Sequence, residues 1–142
     1  MLAAVSIVTF RWILIPIRAE GISMLPTYES GTLHLVNRLS FASRPPARGD
    51  VVAIMLAGPH VLYVKRVVGL PGERIAIVHG QVHVNGHLLV EPYVRNRRPW
   101  DVDEVTLSPH EYFVIGDNRG MSAADHDFGR VELSKIAGKV VF

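Results

Sequence analysis

The stretch that decides the fold is Val61–Leu70 (VLYVKRVVGL), an apolar run that contains one lysine and one arginine and is typical of a β-strand. With a period of two, Tyr63, Lys65 and Val67 share one face of a strand, and the residues between them share the other. Further apolar or alternating runs, separated by turns, predict strands at residues 12–18, 32–39, 51–56, 74–79, 81–90, 110–115 and 133–142. The sequence therefore predicts a mainly β fold, a small antiparallel β-barrel or sandwich-like domain.

The composition fits one folded domain and excludes several kinds of site. The chain has 142 residues, 49% of them apolar, which is enough for a substantial core. It has no cysteine, so disulfides, cysteine nucleophiles and thiolate metal sites are excluded. Without Arg11 and Arg18 of the N-terminal stretch, the 15 basic residues fall to 13, equal to the 13 acidic ones. We therefore expect no nucleic acid among the partners.

The N-terminus is apolar from Met1 to Phe10, is interrupted by Arg11 and is apolar again to Ile17. Ten residues are too few to cross a bilayer, which needs about 20. Because aromatic rings beside an arginine suit a membrane interface, residues 1–10 are interpreted as the last turns of a transmembrane anchor. The alternative, a buried N-terminal strand of a soluble protein, stays open.

Ser23 is the candidate nucleophile, in the stretch Gly21-Ile22-Ser23-Met24-Leu25-Pro26-Thr27. Gly21 lets the backbone approach another segment closely. Exposure of Met24 and Leu25 to water is unfavourable, so we expect these side chains to pack beneath Ser23 or to contact an apolar partner. The alternative is a strand end with an incidental serine. Because a serine is a weak nucleophile until a base takes its proton, the function depends on finding that base.

Lysine is one candidate base, and Lys65 has the surroundings that this role needs. A lysine with its ordinary pKa of about 10.4 is charged at neutral pH, and burial among apolar side chains lowers that pKa by several units. Lys65 lies in an apolar strand, whereas Lys135 and Lys139 are near the C-terminus. The alternative is a lysine on an edge strand whose amine reaches water. A serine with a desolvated lysine is a recognised variant of the catalytic triad.

Histidine is the other kind of base, and the chain has seven. His126, flanked by two aspartates, remains a second candidate base. His79, His83 and His87 recur every fourth residue, which on a helix would make a metal-binding face, but Gly80 breaks any helix there. We therefore expect neither a metal site nor another cofactor.

Several motifs together resemble, in order, the sequence boxes of the type I signal peptidases, or leader peptidases. The matching stretches are Gly21–Thr27, Arg48–Val52, Lys65–Glu73 and Gly116-Asp117-Asn118-Arg119, with Val82–Leu89 and Glu91-Pro92-Tyr93 similar to the family's hairpin. The resemblance extends from Arg11 to Phe142. It implies a membrane-bound serine endopeptidase with a Ser–Lys dyad and the signal peptidase fold. Residues 1–10 would then end the anchor, and residues 11–142 would form an extracytoplasmic catalytic β-domain at the cell membrane.

Carried over by position, the resemblance implies that Ser23 is the nucleophile and Lys65 the general base. The Ser23 backbone N–H would be one donor to the oxyanion. Some relatives supply a hydroxyl two residues before the nucleophile, where this chain has Gly21, so a second donor must be a backbone group or absent. Arg66 and Asp117 would pair and tie the Lys65 strand to the last motif.

The last box also supplies Arg119, expected as a supporting residue, and it departs from the family beyond that point. Ser122 aligns with a serine that helps to orient the lysine in some relatives. The family often continues Ser-x-Asp-Ser-Arg, whereas this chain has its aspartate one place late and lacks the arginine. Ile22, Met24 and Leu25 are expected to face the substrate or the membrane.

The resemblance implies cleavage of N-terminal signal peptides after small residues, Ala-x-Ala, through an acyl-enzyme. The implied partners are precursor proteins with signal peptides and the lipid bilayer. Two alternatives stay open. One is a dedicated peptidase of the same family for a pilin or conjugation protein, and the other is a non-catalytic, membrane-anchored β-module that binds a partner.

Overall fold

The computed structural model describes residues 12–55 and 62–141, which form eleven strands in two antiparallel sheets. The strands are β1 (Leu14–Arg18), β2 (Leu33–Asn37), β3 (Val51–Met55), β4 (Leu62–Gly69), β5 (Arg74–Val78), β6 (Gln81–Val84), β7 (His87–Leu88), β8 (Val102–Thr106), β9 (Glu111–Ile115), β10 (Gly129–Glu132) and β11 (Ile136–Val140). The predicted mainly antiparallel β fold is confirmed. The predicted anchor residues 1–10 lie outside the described residues. In the described part, no helix is long and apolar enough to span a bilayer.

The larger sheet has the order β1-β2-β11-β3-β4-β9-β10, which places β4 inside it. β3 pairs with β4 from Leu62 to Arg66. On the other side, β9 pairs with β4 at Arg66, Val67 and Gly69. Within the described residues, the first half of β4 is therefore not covered by β9, and the candidate site lies against this half.

The smaller sheet has the order β7-β6-β5-β8 and contains the predicted hairpin. Asn85 and Gly86 join β6 to β7 with φ values of 51° and 82°. Positive φ at both central residues is the requirement of a type I′ turn, which explains why Asn-Gly stands there.

Apolar side chains cover both faces of the larger sheet. In β3, Val51 and Ala53 belong to one buried cluster, while Val52 and Ile54 belong to another. Lys65 is paired with Val52 across the two strands, so the lysine projects from the same face as Val52 and Ile54. The fold therefore directs the Lys65 side chain into an apolar environment.

The strands differ from the sequence prediction in three places. β1 begins at Leu14 rather than at residue 12. β8, at residues 102–106, and β10, at residues 129–132, were not predicted. Both are short, and most of their residues are exposed or half-buried, so neither has the apolar run or alternation that marks a strand in the sequence.

Candidate active site

The loop that carries Ser23 follows β1 and is held by the turn after β9. The Asn118 backbone N–H donates to the Ser23 carbonyl at 3.0 Å, and the Asn118 side-chain amide donates to the Ile22 carbonyl at 3.0 Å. At Gly116 the two segments approach so closely that a Cβ would collide with the Ser23 carbonyl oxygen. Neither Gly116 nor Asn118 had a role predicted from the sequence, although the motif at 116–119 contained both.

Lys65 brings its amine to the nucleophile from β4. Its Nζ lies 2.8 Å from Ser23 Oγ, within hydrogen-bond distance. Lys65 is only 3% exposed, and burial lowers its pKa below the ordinary value of 10.5. The carboxylate of Asp127 opposes this effect and raises the pKa. A desolvated amine in contact with a hydroxyl can act as its general base, so the structure brings the two predicted dyad residues together.

His126 was the other candidate base, and it is buried close to the same centre. A Cβ on Gly116 would lie 2.8 Å from its Cε1 atom. Burial, together with the positive charges of Lys65 and Arg119, lowers the pKa of His126 to about 4. In the described residues, the Ser23 hydroxyl is hydrogen-bonded to Lys65 and not to His126. The geometry therefore favours Lys65 as the base.

The predicted pair of Arg66 and Asp117 is present and nearly buried. Arg66 Nε and Nη2 donate to the two Asp117 carboxylate oxygens at 2.8 and 2.7 Å, with side chains 11% and 0% exposed. The Thr27 hydroxyl donates to the same carboxylate at 2.5 Å. Asp117 thus joins β4, the turn after β9 and the end of the Ser23 loop. The two parallel hydrogen bonds from Arg66 make this ion pair bidentate, which adds strength and a fixed geometry.

Arg119 forms a second buried pair, with Glu91. Its Nη1 and Nη2 donate to the Glu91 carboxylate at 2.9 and 2.5 Å, and both side chains are 0% exposed. Arg119 Nε donates to the Gly116 carbonyl at 2.8 Å. Glu91 was not predicted as a supporting residue, because the sequence motif that contains Arg119 does not reveal which carboxylate pairs with this arginine.

Ser122 lies at the start of a short 3₁₀ helix, Ala123–Asp125, and has a different partner from the one expected. Its hydroxyl donates to the Asp125 carboxylate at 2.5 Å. Within the described residues, no hydrogen bond joins Ser122 to Lys65. The aspartate that stands one place late relative to the family's box is therefore the group that holds this hydroxyl.

A groove of about 530 Å³ leads to Ser23. Two segments form its sides, residues 18–21 at the end of β1 and residues 62–64 of β4, and Met24 and Tyr28 contribute to the lining. Gly21 lies in this wall, with a φ of 86° that favours glycine. Ser23 and Met24 of the nucleophile loop are thus open to this groove.

The three apolar residues around Ser23 have different environments. Ile22 is 52% exposed, and Leu25 is half-buried. Met24 is 4% exposed and packs in the core while lining the groove. Of the two expected surroundings, the substrate groove is therefore the one that Met24 adjoins in the described structure.

The three histidines at a spacing of four do not form a common face. Val84 is paired with His87, so His83, the neighbour of Val84, projects from the opposite face of the smaller sheet. His79 lies 3.9 Å from the Asp101 carboxylate, in the turn after β5. In residues 12–55 and 62–141 no group of three His, Asp or Glu side chains is arranged to hold a metal ion.

The family model described as "Signal peptidase, peptidase S26" matches residues 1–142 of the chain. Signal peptidase I of Bacillus caldolyticus is 41% identical over 137 residues, which cover 87% of this chain and 75% of that protein. Signal peptidase I V of Bacillus subtilis is 33% identical over 143 residues, covering 90% and 84%. A solved structure of a signal peptidase I from Enterococcus faecalis is similar with a TM-score of 0.54 and 26% identity, covering 69% of this chain and 98% of that one.

Proposed function

The chain belongs to the signal peptidase family, peptidase S26, and is a serine peptidase that processes signal peptides; we propose that it does so with Ser23 as nucleophile and Lys65 as general base. The observation that carries this assignment is the contact of 2.8 Å between Lys65 Nζ and Ser23 Oγ, made by a lysine that is 3% exposed. In the described structure the Lys65 amine forms no direct ion pair, and Asp127 acts on it only through its charge. A purely structural role would therefore leave a buried amine poorly compensated, which is costly.

In the proposed acylation step, neutral Lys65 accepts the Ser23 hydroxyl proton while Oγ attacks the scissile carbonyl carbon. The tetrahedral intermediate collapses as Lys65 gives that proton to the leaving nitrogen and the C–N bond breaks. In deacylation, Lys65 takes a proton from water, the hydroxide attacks the acyl carbon, and Ser23 Oγ leaves with the proton. Lys65 is neutral again at the end of each half-reaction, so one base serves both.

The Ser23 backbone N–H is our proposed oxyanion donor. The Asn118 side-chain amide donates to the Ile22 carbonyl at 3.0 Å, which fixes the peptide plane that carries the Ser23 N–H. Each donor of this kind is worth about 3 kcal/mol of the barrier. Because residue 21 is glycine, we propose that a second donor, where there is one, is a backbone group.

The substrate is proposed to bind as an extended strand in the groove between residues 18–21 and residues 62–64. The first half of β4 has its side toward β9 uncovered in the described structure, so it can add a strand through backbone hydrogen bonds. The buried Met24 and the half-buried Tyr28 limit the depth of the groove, which supports selection of small side chains such as the alanines of Ala-x-Ala.

We propose that the catalytic domain acts at the extracytoplasmic face of the cell membrane, with residues 1–10 as the end of its anchor. Support comes from exposed apolar side chains on the Ser23 loop and near the β1–β2 edge. Ile22 is 52% exposed, and Trp12 and Leu33 are each 69% exposed. Such side chains suit the boundary between lipid and water, where signal peptides enter.

The test is cleavage of a precursor with an Ala-x-Ala signal peptide, in detergent, by the wild-type chain, Ser23→Ala and Lys65→Met. We expect cleavage after the second alanine by the wild type and a loss of about 10⁴-fold or more in both variants. Folded variants are verified by circular dichroism. Full activity of Lys65→Met would reject Lys65 as the base, and activity on a single precursor alone would favour a dedicated processing peptidase.

A further inference from the structure

A second cavity, of about 230 Å³, lies beside Lys65 and is distinct from the substrate groove. Its lining residues are Ile54, Tyr63, Lys65, Val114, Asp127, Phe128, Gly129, Arg130 and Val131. Tyr63 lines both the cavity and the groove, so it forms the wall between them. The proposed mechanism gives no task to this cavity.

The dyad lies at the junction of the two spaces. Ser23 lines the groove and not the cavity, whereas Lys65 lines the cavity and not the groove. Since Lys65 Nζ and Ser23 Oγ are 2.8 Å apart, a substrate bound at the nucleophile reaches both spaces. The two sides of the scissile bond therefore have different surroundings.

The chemistry decides which side of the bond lies next to the cavity. Lys65 must deliver its proton to the leaving nitrogen, so that nitrogen lies on the Lys65 side of the attacked carbon. The residue after the scissile bond begins at that nitrogen. One extended residue spans about 3.3 Å, so the first two residues after the bond are within reach of the cavity.

We propose that the cavity beside Lys65 binds an apolar side chain from one of the first two substrate residues after the scissile bond. This inference rests on the proposed function of the dyad. The walls formed by Ile54, Val114 and Val131 are apolar, so burial of an apolar side chain against them is favourable. Asp127 and Arg130 are exposed and of opposite charge, so they give no net preference for a charged side chain.

Part of the cavity wall comes from the segment that departs from the family's last box. Five of its nine lining residues are consecutive, from Asp127 to Val131. These residues form the end of the segment after the short 3₁₀ helix and the beginning of β10. The lining of the cavity therefore combines this segment with Tyr63 and Lys65 of β4.

The experiment compares peptides that are identical up to the Ala-x-Ala cut and carry Ala, Leu, Phe or Lys at the first or second position after it. For the wild type we expect kcat/KM to be about tenfold higher for Leu than for Ala at one of these positions, as for an apolar side chain in an apolar pocket. Lys should give no gain over Ala. The ratio within one enzyme is independent of the fraction of active protein.

Val131→Phe fills the cavity, and we expect it to bring the Leu-to-Ala ratio close to one. Val90→Phe is the matched control, because Val90 is 81% exposed and lies outside the cavity lining; it should keep the wild-type ratio. Val131→Ala enlarges the cavity and should extend the preference to Phe. This second variant decides the question if Val131→Phe does not fold.

Three results would overturn the inference. The first is a wild-type Leu-to-Ala ratio near one at both positions. The second is a Leu-to-Ala ratio in Val131→Phe and a Phe-to-Ala ratio in Val131→Ala that both equal those of the wild type. The third is a Val131-dependent preference at the residue before the final alanine instead. In each case a cleaving wild type leaves the proposed function standing. A wild type that is inert on every peptide and precursor rejects the proposed function itself, and the cavity assignment falls with it.

Discussion

In the proposed mechanism, Lys65 and Asp127 together set the pH range in which the dyad can work. The base must be neutral to accept the Ser23 proton, and burial moves its pKa downward toward that range. Asp127 has the opposite effect, because its negative charge favours the protonated amine. The position of the acid limb of activity therefore reflects a balance between desolvation and one nearby carboxylate.

Asp127→Asn should shift the acid limb of the kcat/KM profile to lower pH. Removing the negative charge leaves desolvation unopposed, so the pKa of Lys65 falls and more of the amine is neutral at a given pH. The measurement is kcat/KM for one peptide across the pH range. Asp103→Asn, a change of the same kind at an exposed residue of β8, should leave the limb unchanged. A shift to higher pH in Asp127→Asn would contradict this account of the charge.

Sequence patterns predicted the two dyad residues and an apolar strand around Lys65, but not the contacts that bury it. Ser23 and Lys65 follow from the ordered motifs, because those motifs fix which serine and which lysine correspond. The burial of Lys65 depends on Val52 and Ile54 of a neighbouring strand, and the partner of Ser122 depends on where a short helix places Asp125. Both are long-range or conformational facts that residue types alone do not contain.

At the scale of elements, buried ion pairs hold the turn after β9 in position. Arg119 joins that turn to Glu91 in the segment after β7, and it also holds the Gly116 carbonyl. Gly116 in turn is packed against the Ser23 carbonyl. The Arg119–Glu91 pair therefore supports the nucleophile loop through the turn, although neither residue contacts Ser23 Oγ in the described structure.

Glu91→Gln should lower the free energy of unfolding by about 3–5 kcal/mol, because it leaves the buried Arg119 charge without its carboxylate. Glu104→Gln is the matched control. Glu104 pairs with Arg74 at 3.4 Å, with side chains 45% and 53% exposed, and such a pair contributes about 1 kcal/mol or less. Urea denaturation of the three proteins measures the difference. Equal stabilities of the two variants would contradict the structural role assigned to Glu91.

Strand prediction succeeded where the apolar pattern was strong and failed where it was weak. β3, β4 and the β6–β7 hairpin follow from apolar runs and from the Asn85-Gly86 turn. β8 and β10 are partly exposed and were missed, because they are strands through pairing with β5 and β9 rather than through their own periodicity. The missed β10 carries part of the cavity beside Lys65.

At the scale of the whole molecule, the candidate active site is assembled from segments that are distant in sequence. The Ser23 loop, β4 and the turn at residues 116–119 meet only because the larger sheet places β9 beside β4. The lowered pKa of Lys65 is thus a property of the folded chain and should vanish when the sheet is lost.

The most direct test of the central claim is the titration of Lys65 by ¹⁵N-lysine NMR, in the folded protein and in denaturant. The chain has only three lysines, and Lys65→Met identifies the signal. We predict a folded-state midpoint below 10.5, coincident with the acid limb of kcat/KM, and a return to about 10.4 on unfolding. A folded Lys65 that titrates at or above 10.5 would contradict its assignment as the base that activates Ser23.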